Sequence, residues 1–225
     1  MKAMILAAGR GERMGLLTAN EPKPLLTVGG VPLIERHIAH LAASGFAEVV
    51  INLSYRGAQV RTRLGDGRRF GIAITYSEEG EPPLETAGGI VRALPWLGSG
   101  PFLLVNSDVY TDLELAAFAA QAAARSTLLL VPNPAHNARG DFGLDEDGSI
   151  TAREPKLTYG GVAVLDTKLF EGFAPGRRPL KPVLDLSVER GDLRGQFYDG
   201  LWIDVGTPER LEEARIAADS AARER

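Results

Sequence analysis

The chain is 225 residues long, 44% hydrophobic and 24% charged, enough for a sizeable core in one large domain or two small ones. With 25 basic and 29 acidic residues the net charge is −4, which argues against a nucleic-acid partner. No apolar run reaches the roughly 18 residues of a membrane span. The absence of cysteine excludes disulfides, thiolate metal sites and thiol catalysis, and the cytoplasm is the expected compartment.

The N-terminal MKAMILAAGRG has no signal-peptide core of the usual length and runs straight into a Gly-rich loop, so Ala3 to Ala8 reads as a first buried strand. Pro32 to Ala43 carries Leu33, Ile34, Ile38, Leu41 and Ala42 near a 3.6-residue period, a helix with Pro32 at its first position and Gly45 past its end. Glu48 to Leu53 is the next strand, followed by a helical stretch to Leu64. Ile72 to Ser77, Phe102 to Asn106 and Thr127 to Val131 read as further strands, with helices over Thr86 to Leu97 and Asp112 to Ala124. Continuous apolar strands alternating with helices predict an α/β sheet covered on both faces. After Pro134 the pattern turns β-rich. Phe142 to Leu144 and Ile150 to Ala152 flank a hairpin turn at Asp145 to Gly148, Thr158 to Leu165 is a strand, and Gln196 to Val205 a last one. Pro208 to about Ala222 is a closing helix. No repeat or linker interrupts residues 1–225, so one domain is expected.

The sharpest chemical signal is Gly9-Arg10-Gly11-Glu12-Arg13-Met14, with Pro22-Lys23-Pro24-Leu25 about a dozen residues on. Glycines directly after a first strand let backbone N–H groups approach a phosphate. Arg10, Arg13 and Lys23 supply positive charge, and the two prolines stiffen the chain around Lys23. Such a cluster suits a triphosphate, whose charge must be neutralised before a nucleophile approaches. The bland alternative is a Gly-rich turn with solvated arginines. A dinucleotide fingerprint fails on spacing, because Met14 stands where a third glycine is needed and Asn52-Leu53-Ser54 where a ribose-binding acid belongs. A P-loop fails because no Gly-Lys-Ser/Thr follows the glycines. Asp108 directly follows the strand PFLLVN, at the edge where open α/β sheets place their sites, and Asp204 closes another apolar stretch beside Gly206. His37 and His40, three apart on a helix, read as a surface or half-buried pair rather than a metal site.

These motifs resemble those of the sugar-phosphate nucleotidyltransferases. The likeness continues through Leu84-Glu85-Thr86-Ala87-Gly88-Gly89, Val105-Asn106-Ser107-Asp108, Gly160-Gly161-Val162 and Trp202-Ile203-Asp204-Val205-Gly206-Thr207, and so spans almost the whole chain. Through Gly80-Glu81-Pro82 and Arg139-Gly140-Asp141-Phe142 it is nearest to the N-acetylmuramate-1-phosphate uridylyltransferases. The resemblance implies a Rossmann-like three-layer α/β sandwich with a mixed, mostly parallel sheet and a β-rich sugar-binding insertion. The nucleotide-binding part would cover about 1–133 and the sugar-phosphate-binding part about 134–225.

By the same resemblance Mg²⁺ is the cofactor, held by Asp108 and Asp204, and Arg13, Lys23 and Asp108 are catalytic. Nucleotide contacts fall to Ala7, Ala8, Gly9, Gly11, Arg13 and Lys23, with Glu85 and Gly88 selecting the base. Sugar-phosphate contacts fall to Asn106, Arg139, Gly140, Glu154, Lys156 and Gly161. The expected substrates are an NTP, UTP favoured, and a sugar 1-phosphate, used by a monomer or homodimer with no membrane or nucleic-acid partner. Other specificities in the class are the alternative: a hexose-1-phosphate guanylyl- or thymidylyltransferase, or a phosphocholine-type cytidylyltransferase. A non-catalytic nucleotide-sensing subunit on the same fold is a further one. The chain departs from the family at Ser107, where glycine is common, at Gly15-Leu16, where Arg-Pro or Tyr-Pro is usual, and at Pro83 in the base loop. The expected Glu-Lys-Pro is here Glu154-Pro155-Lys156.

Overall fold

The computed structural model describes residues 1–223. In chain order the strands are β1 (Lys2–Leu6), β2 (Thr27–Val28), β3 (Val31–Pro32), β4 (Glu48–Leu53), β5 (Ala73–Glu78), β6 (Pro101–Asn106), β7 (Val109–Thr111), β8 (Thr127–Val131), β9 (Phe142–Leu144), β10 (Ile150–Thr151), β11 (Lys156–Asp166), β12 (Arg194–Phe197) and β13 (Trp202–Asp204). The helices are α1 (Leu33–Ala43), α2 (Gly57–Leu64), α3 (Glu85–Leu97), α4 (Leu115–Ala122), α5 (Lys181–Glu189) and α6 (Pro208–Arg223). The central sheet runs β5-β4-β1-β6-β11-β8-β12. Its β5-β4-β1-β6 portion is all parallel, while β11 runs antiparallel to both β6 and β8. The β9–β10 hairpin attaches to the first residues of β11.

Side chains alternating along each strand divide the core in two. Ala3 and Ile5 of β1, Val49 and Ile51 of β4 and Leu103 and Val105 of β6 pack with α1, α2 and α4 on one face. Met4, Val50, Phe102 and Leu104 pack with α3 and α5 on the other. Burial on both faces explains why these strands are continuously apolar, and the mixed three-layer sandwich is the fold class expected from the sequence. A third cluster lies under α6, where Leu211 and Ala214 pack on Ile203 and Val205 and on Met14 of the Gly-rich segment. That cluster fixes the Gly-rich segment against the strand carrying Asp204.

Three expectations are corrected. β1 ends at Leu6, so Ala7 and Ala8 belong to the loop. The expected last strand, Gln196 to Val205, is two: β12 pairs with β8 in the main sheet, and β13 pairs antiparallel with β7, with Asp199-Gly200 between them. α5 was not anticipated; it is nine residues long and buries Val183, Leu184 and Ser187. Among the described residues no helix is long and apolar enough to cross a membrane.

Candidate active site

The strand order reverses beside β1: the chain steps outward to β4 and β5, then returns to lay β6 on the other edge of β1. Open α/β sheets bind ligands at the carboxyl ends of the strands at such a point. A cleft of about 620 Å³ opens there, walled by Ala8, Gly9 and Arg10 of the Gly loop, by Lys23 and Pro24, by Pro82, Pro83, Glu85 and Thr86 at the start of α3 and the loop before it, and by Asn106 to Asp108. A second cavity, about 370 Å³, continues past Asn106 and Asp108 and is walled by Arg13, Asp141, Tyr159, Gly160, Gly161, Trp202 and Asp204. Asn106 and Asp108 line both.

The positions of the principal groups have local causes. Gly11 adopts a left-handed φ of 66°, and a Cβ there would come within 3.1 Å of Lys23 Cβ, so glycine lets the loop close over the lysine stem. Pro22 and Pro24 flank Lys23, whose ammonium meets Asp108 at 2.5 Å (Nζ to Oδ2). Gly161, with φ of 72°, forms an irregularity in β11 where the register with β8 shifts, and a Cβ there would fall 2.8 Å from Asn106 Nδ2. It thus makes room for the asparagine at the junction of the cavities. The β7–β13 pairing sets Asp204 opposite Val109, and the Val205 amide donates to the Asp108 carbonyl at 2.8 Å. Two aspartates far apart in sequence therefore stand on adjoining strand ends.

Asp204 Oδ2 accepts from Arg210 Nη1 at 2.6 Å and lies 3.3 Å from His136 Nε2. Among the described residues neither Asp108 nor Asp204 makes a hydrogen bond through Oδ1. Two aspartates at neighbouring strand ends, each with a carboxylate oxygen outside any hydrogen bond, are hard oxygen donors of the type that suits Mg²⁺, which completes its shell with water and substrate phosphate. The residues present fit that ion.

The remaining sequence-assigned residues separate. Ala8, Gly9 and Glu85 line the first cavity. Ala7 instead donates its N–H to Asn52 Oδ1 at 2.8 Å. Gly88 is buried in α3, where its N–H donates to the Arg178 carbonyl at 3.1 Å, rather than facing the cleft. Arg13 lines the second cavity and not the first. Gly161 lines the second cavity, whereas Arg139 is exposed and Gly140, Glu154 and Lys156 line neither. Glu154 accepts from the Lys156 amide at 3.1 Å. Of the pair expected to be at the surface or half-buried, His40 is half-buried, but His37 is fully buried on α1, its Nε2 has no hydrogen-bond partner, and burial pushes its imidazole down to about 4 against the pull of Asp108.

Several site residues were not found from sequence. Asn52 Nδ2 donates to Glu79 Oε1 at 2.6 Å, and Glu79 Oε2 accepts from the Leu84 amide at 2.8 Å, tying the loop before α3 to the end of β4. Gly89 leaves space for that carboxylate, since a Cβ would stand 2.3 Å from Glu79 Oε1. In the second cavity Asp141 Oδ2 accepts from the Tyr159 amide at 2.8 Å and from Asn137 at 3.2 Å. Asn52 and Asp141 were visible in the motifs, but their partners are set by tertiary structure.

This geometry defines a two-compartment site: a glycine-lined cleft with a buried lysine opening onto a polar cavity, with a carboxylate between them. The chain belongs to the nucleotidyl transferase family, which it matches over residues 2–152. It is 47% identical to the N-acetylmuramate alpha-1-phosphate uridylyltransferase of Neisseria meningitidis serogroup B over 97% of this chain and 98% of that protein. It is 32% identical to the same-named protein of Caulobacter vibrioides over 97% and 95%. A Bacillus anthracis protein solved in complex with a sucrose shares the fold, with a TM-score of 0.85 at 22% identity over 97% of this chain and 95% of that one.

Proposed function

We propose that the protein transfers UMP from UTP to N-acetylmuramate 1-phosphate, releasing pyrophosphate. The observation that carries this reading is the meeting of two cavities at Asn106 and Asp108, one bounded by the Gly and base loops and the other by the β-rich half. The chemistry needs an activated phosphate and an ionised acceptor held in line, and the site offers a compartment for each. The acceptor is ionised near neutral pH, so its phosphate oxygen attacks the α-phosphorus without a general base. The bond from that phosphorus to the bridging oxygen breaks, and pyrophosphate leaves with the electron pair.

Lys23 and the backbone of Ala8 and Gly9 neutralise and orient the triphosphate. Arg13 balances charge on the acceptor side, where it shares a wall with Asp204. Asp108 and Asp204 would hold Mg²⁺, which when bound supplies charge neutralisation at the reacting phosphates. The uridylyl and N-acetylmuramate specificity is supported by the two relatives of that name. The deciding experiment is a pyrophosphate-release screen of the four common NTPs against a panel of sugar 1-phosphates. UTP with N-acetylmuramate 1-phosphate is the expected best pair. Faster turnover of GTP with a hexose 1-phosphate would replace this reading by a guanylyltransferase.

A further inference from the structure

The base end of the nucleotide-side cleft is closed by a segment from the other half of the chain. Gly176-Arg177-Arg178 lies along the base loop, where the Arg178 amide donates to the Leu84 carbonyl at 2.9 Å and the Gly88 amide donates to the Arg178 carbonyl at 3.1 Å. Contact is close enough that a Cβ on Gly88 would stand 2.3 Å from the Gly176 carbonyl. The Arg178 guanidinium sits 4.5 Å over the Phe173 ring, which anchors the segment from its far side. Arg177 between them turns its side chain into the cleft and meets Glu85 at 2.7 Å (Nε to Oε1).

Glu85 is itself unusual. It opens α3 with a φ of 61°, a left-handed conformation that L-residues other than Asn and Asp seldom adopt. Backbone of this kind persists where surrounding structure holds a side chain in a working position. Here the result is a carboxylate in a cleft meant for an anionic ligand, made tolerable by its own arginine.

We propose that the Glu85–Arg177 pair reads the pairing edge of the nucleobase and makes Arg177 a specificity-determining residue. A carboxylate only accepts hydrogen bonds and a guanidinium only donates them, so together they offer an acceptor beside donors. Uracil presents the complement: an N3–H between two carbonyls. With the carboxylate at N3–H and the guanidinium at O4 uracil satisfies both, whereas cytosine in the same seat sets its N3 lone pair against the carboxylate and its amino group against the guanidinium. Guanine shares uracil's N–H-beside-carbonyl edge and adenine shares cytosine's. In that seat the pair sorts U and G from C and A, leaving ring size to the Pro82-Pro83 side of the loop. Sites that pair buried polar groups with one ligand reject the analogue that strands them.

The inference rests on the transferase reading, and titration calorimetry with UTP, GTP, CTP and ATP in Mg²⁺ buffer tests the two separately. Wild type is expected to bind UTP well above CTP. Arg177, largely exposed, can be removed without disturbing the core, and Arg177→Ala should weaken UTP about tenfold or more, the effect of losing a hydrogen bond to a charged donor, with a smaller change for CTP. Glu85→Gln, whose amide can also donate, should raise CTP binding relative to UTP. A UTP-to-CTP ratio unchanged in both variants overturns the inference while leaving the transferase intact. An equal loss for all four nucleotides in Arg177→Ala also overturns it, making the arginine a general triphosphate contact. A wild type that binds none of the four overturns the transferase reading and this inference together.

Discussion

Lys23 Nζ and Asp108 Oδ2 lie 2.5 Å apart although 85 residues separate them in the chain, and the lysine is buried while the aspartate remains partly open to the cleft. The pair presents a fixed cation beside a carboxylate at the junction of two cavities. Neither group would be as well placed alone, because the lysine stem is held by Gly11 and two prolines and the aspartate by the end of β6.

Lys23→Ala is therefore expected to lower kcat more than it raises the KM for UTP. Removing one preorganised electrostatic stabiliser typically lowers the rate about 10²–10³-fold. Steady-state pyrophosphate release measures this, and a variant within about threefold of wild type would refute the role given to the lysine.

Asp108→Asn and Asp204→Asn should each abolish most turnover, and chelator should do the same to wild type until Mg²⁺ is restored. A Mn²⁺ titration followed by electron paramagnetic resonance reads the metal directly. Each amide variant is expected to bind the ion more weakly, and undiminished Mn²⁺ affinity in either would remove that residue from the site.

Arg13 and Arg139 should behave differently. Arg13 lines the acceptor-side cavity, so Arg13→Ala should impair use of the sugar phosphate while UTP affinity, measured without acceptor, stays close to wild type. Arg139 is exposed and lines neither cavity, so Arg139→Ala should leave N-acetylmuramate 1-phosphate and N-acetylglucosamine 1-phosphate both within about twofold of wild type. A selective loss on the muramate sugar would instead restore the role that sequence alone assigns to Arg139.

His37 gives the fold an acid-sensitive element. Its folded value of about 4 lies below the ordinary 6.5, so the unfolded chain takes up a proton that the native state refuses. Stability from this residue is full above about pH 6.5, falls as pH drops, and levels off near pH 4, a loss of about 3 kcal/mol at most. Urea unfolding between pH 7 and 4 should show that slope in wild type and a flatter one in His37→Gln. Parallel slopes would assign the acid sensitivity elsewhere.

What the sequence revealed and what it hid follow from the range of each interaction. The strands Glu48–Leu53 and Thr127–Val131 were legible because burial on both faces writes a continuous apolar run. β7 and β13, three residues each, are too short to carry a period, and the two-residue β2 and β3 carry none at all. The Gly loop, Lys23 and Asp108 were legible as compact motifs. The Asn52–Glu79 hydrogen bond, the Glu85–Arg177 pair and the Asp204–Arg210 pair join residues whose types are individually ordinary, so their meaning emerges only once the sheet has brought them together. His37 was misread because helical spacing names a face without saying what packs on it.

The β7–β13 pairing sets the order in which the site comes into being. Every wall of the nucleotide-side cleft except Arg177 is encoded before residue 109, yet Asp204 joins Asp108 only through a strand near the end of the described chain. Closing so long a loop is slow relative to local helix formation. A chain synthesised only to residue 109 holds one carboxylate of the pair without the other, and its Gly-rich segment without the β13 and α6 residues that pack on Met14.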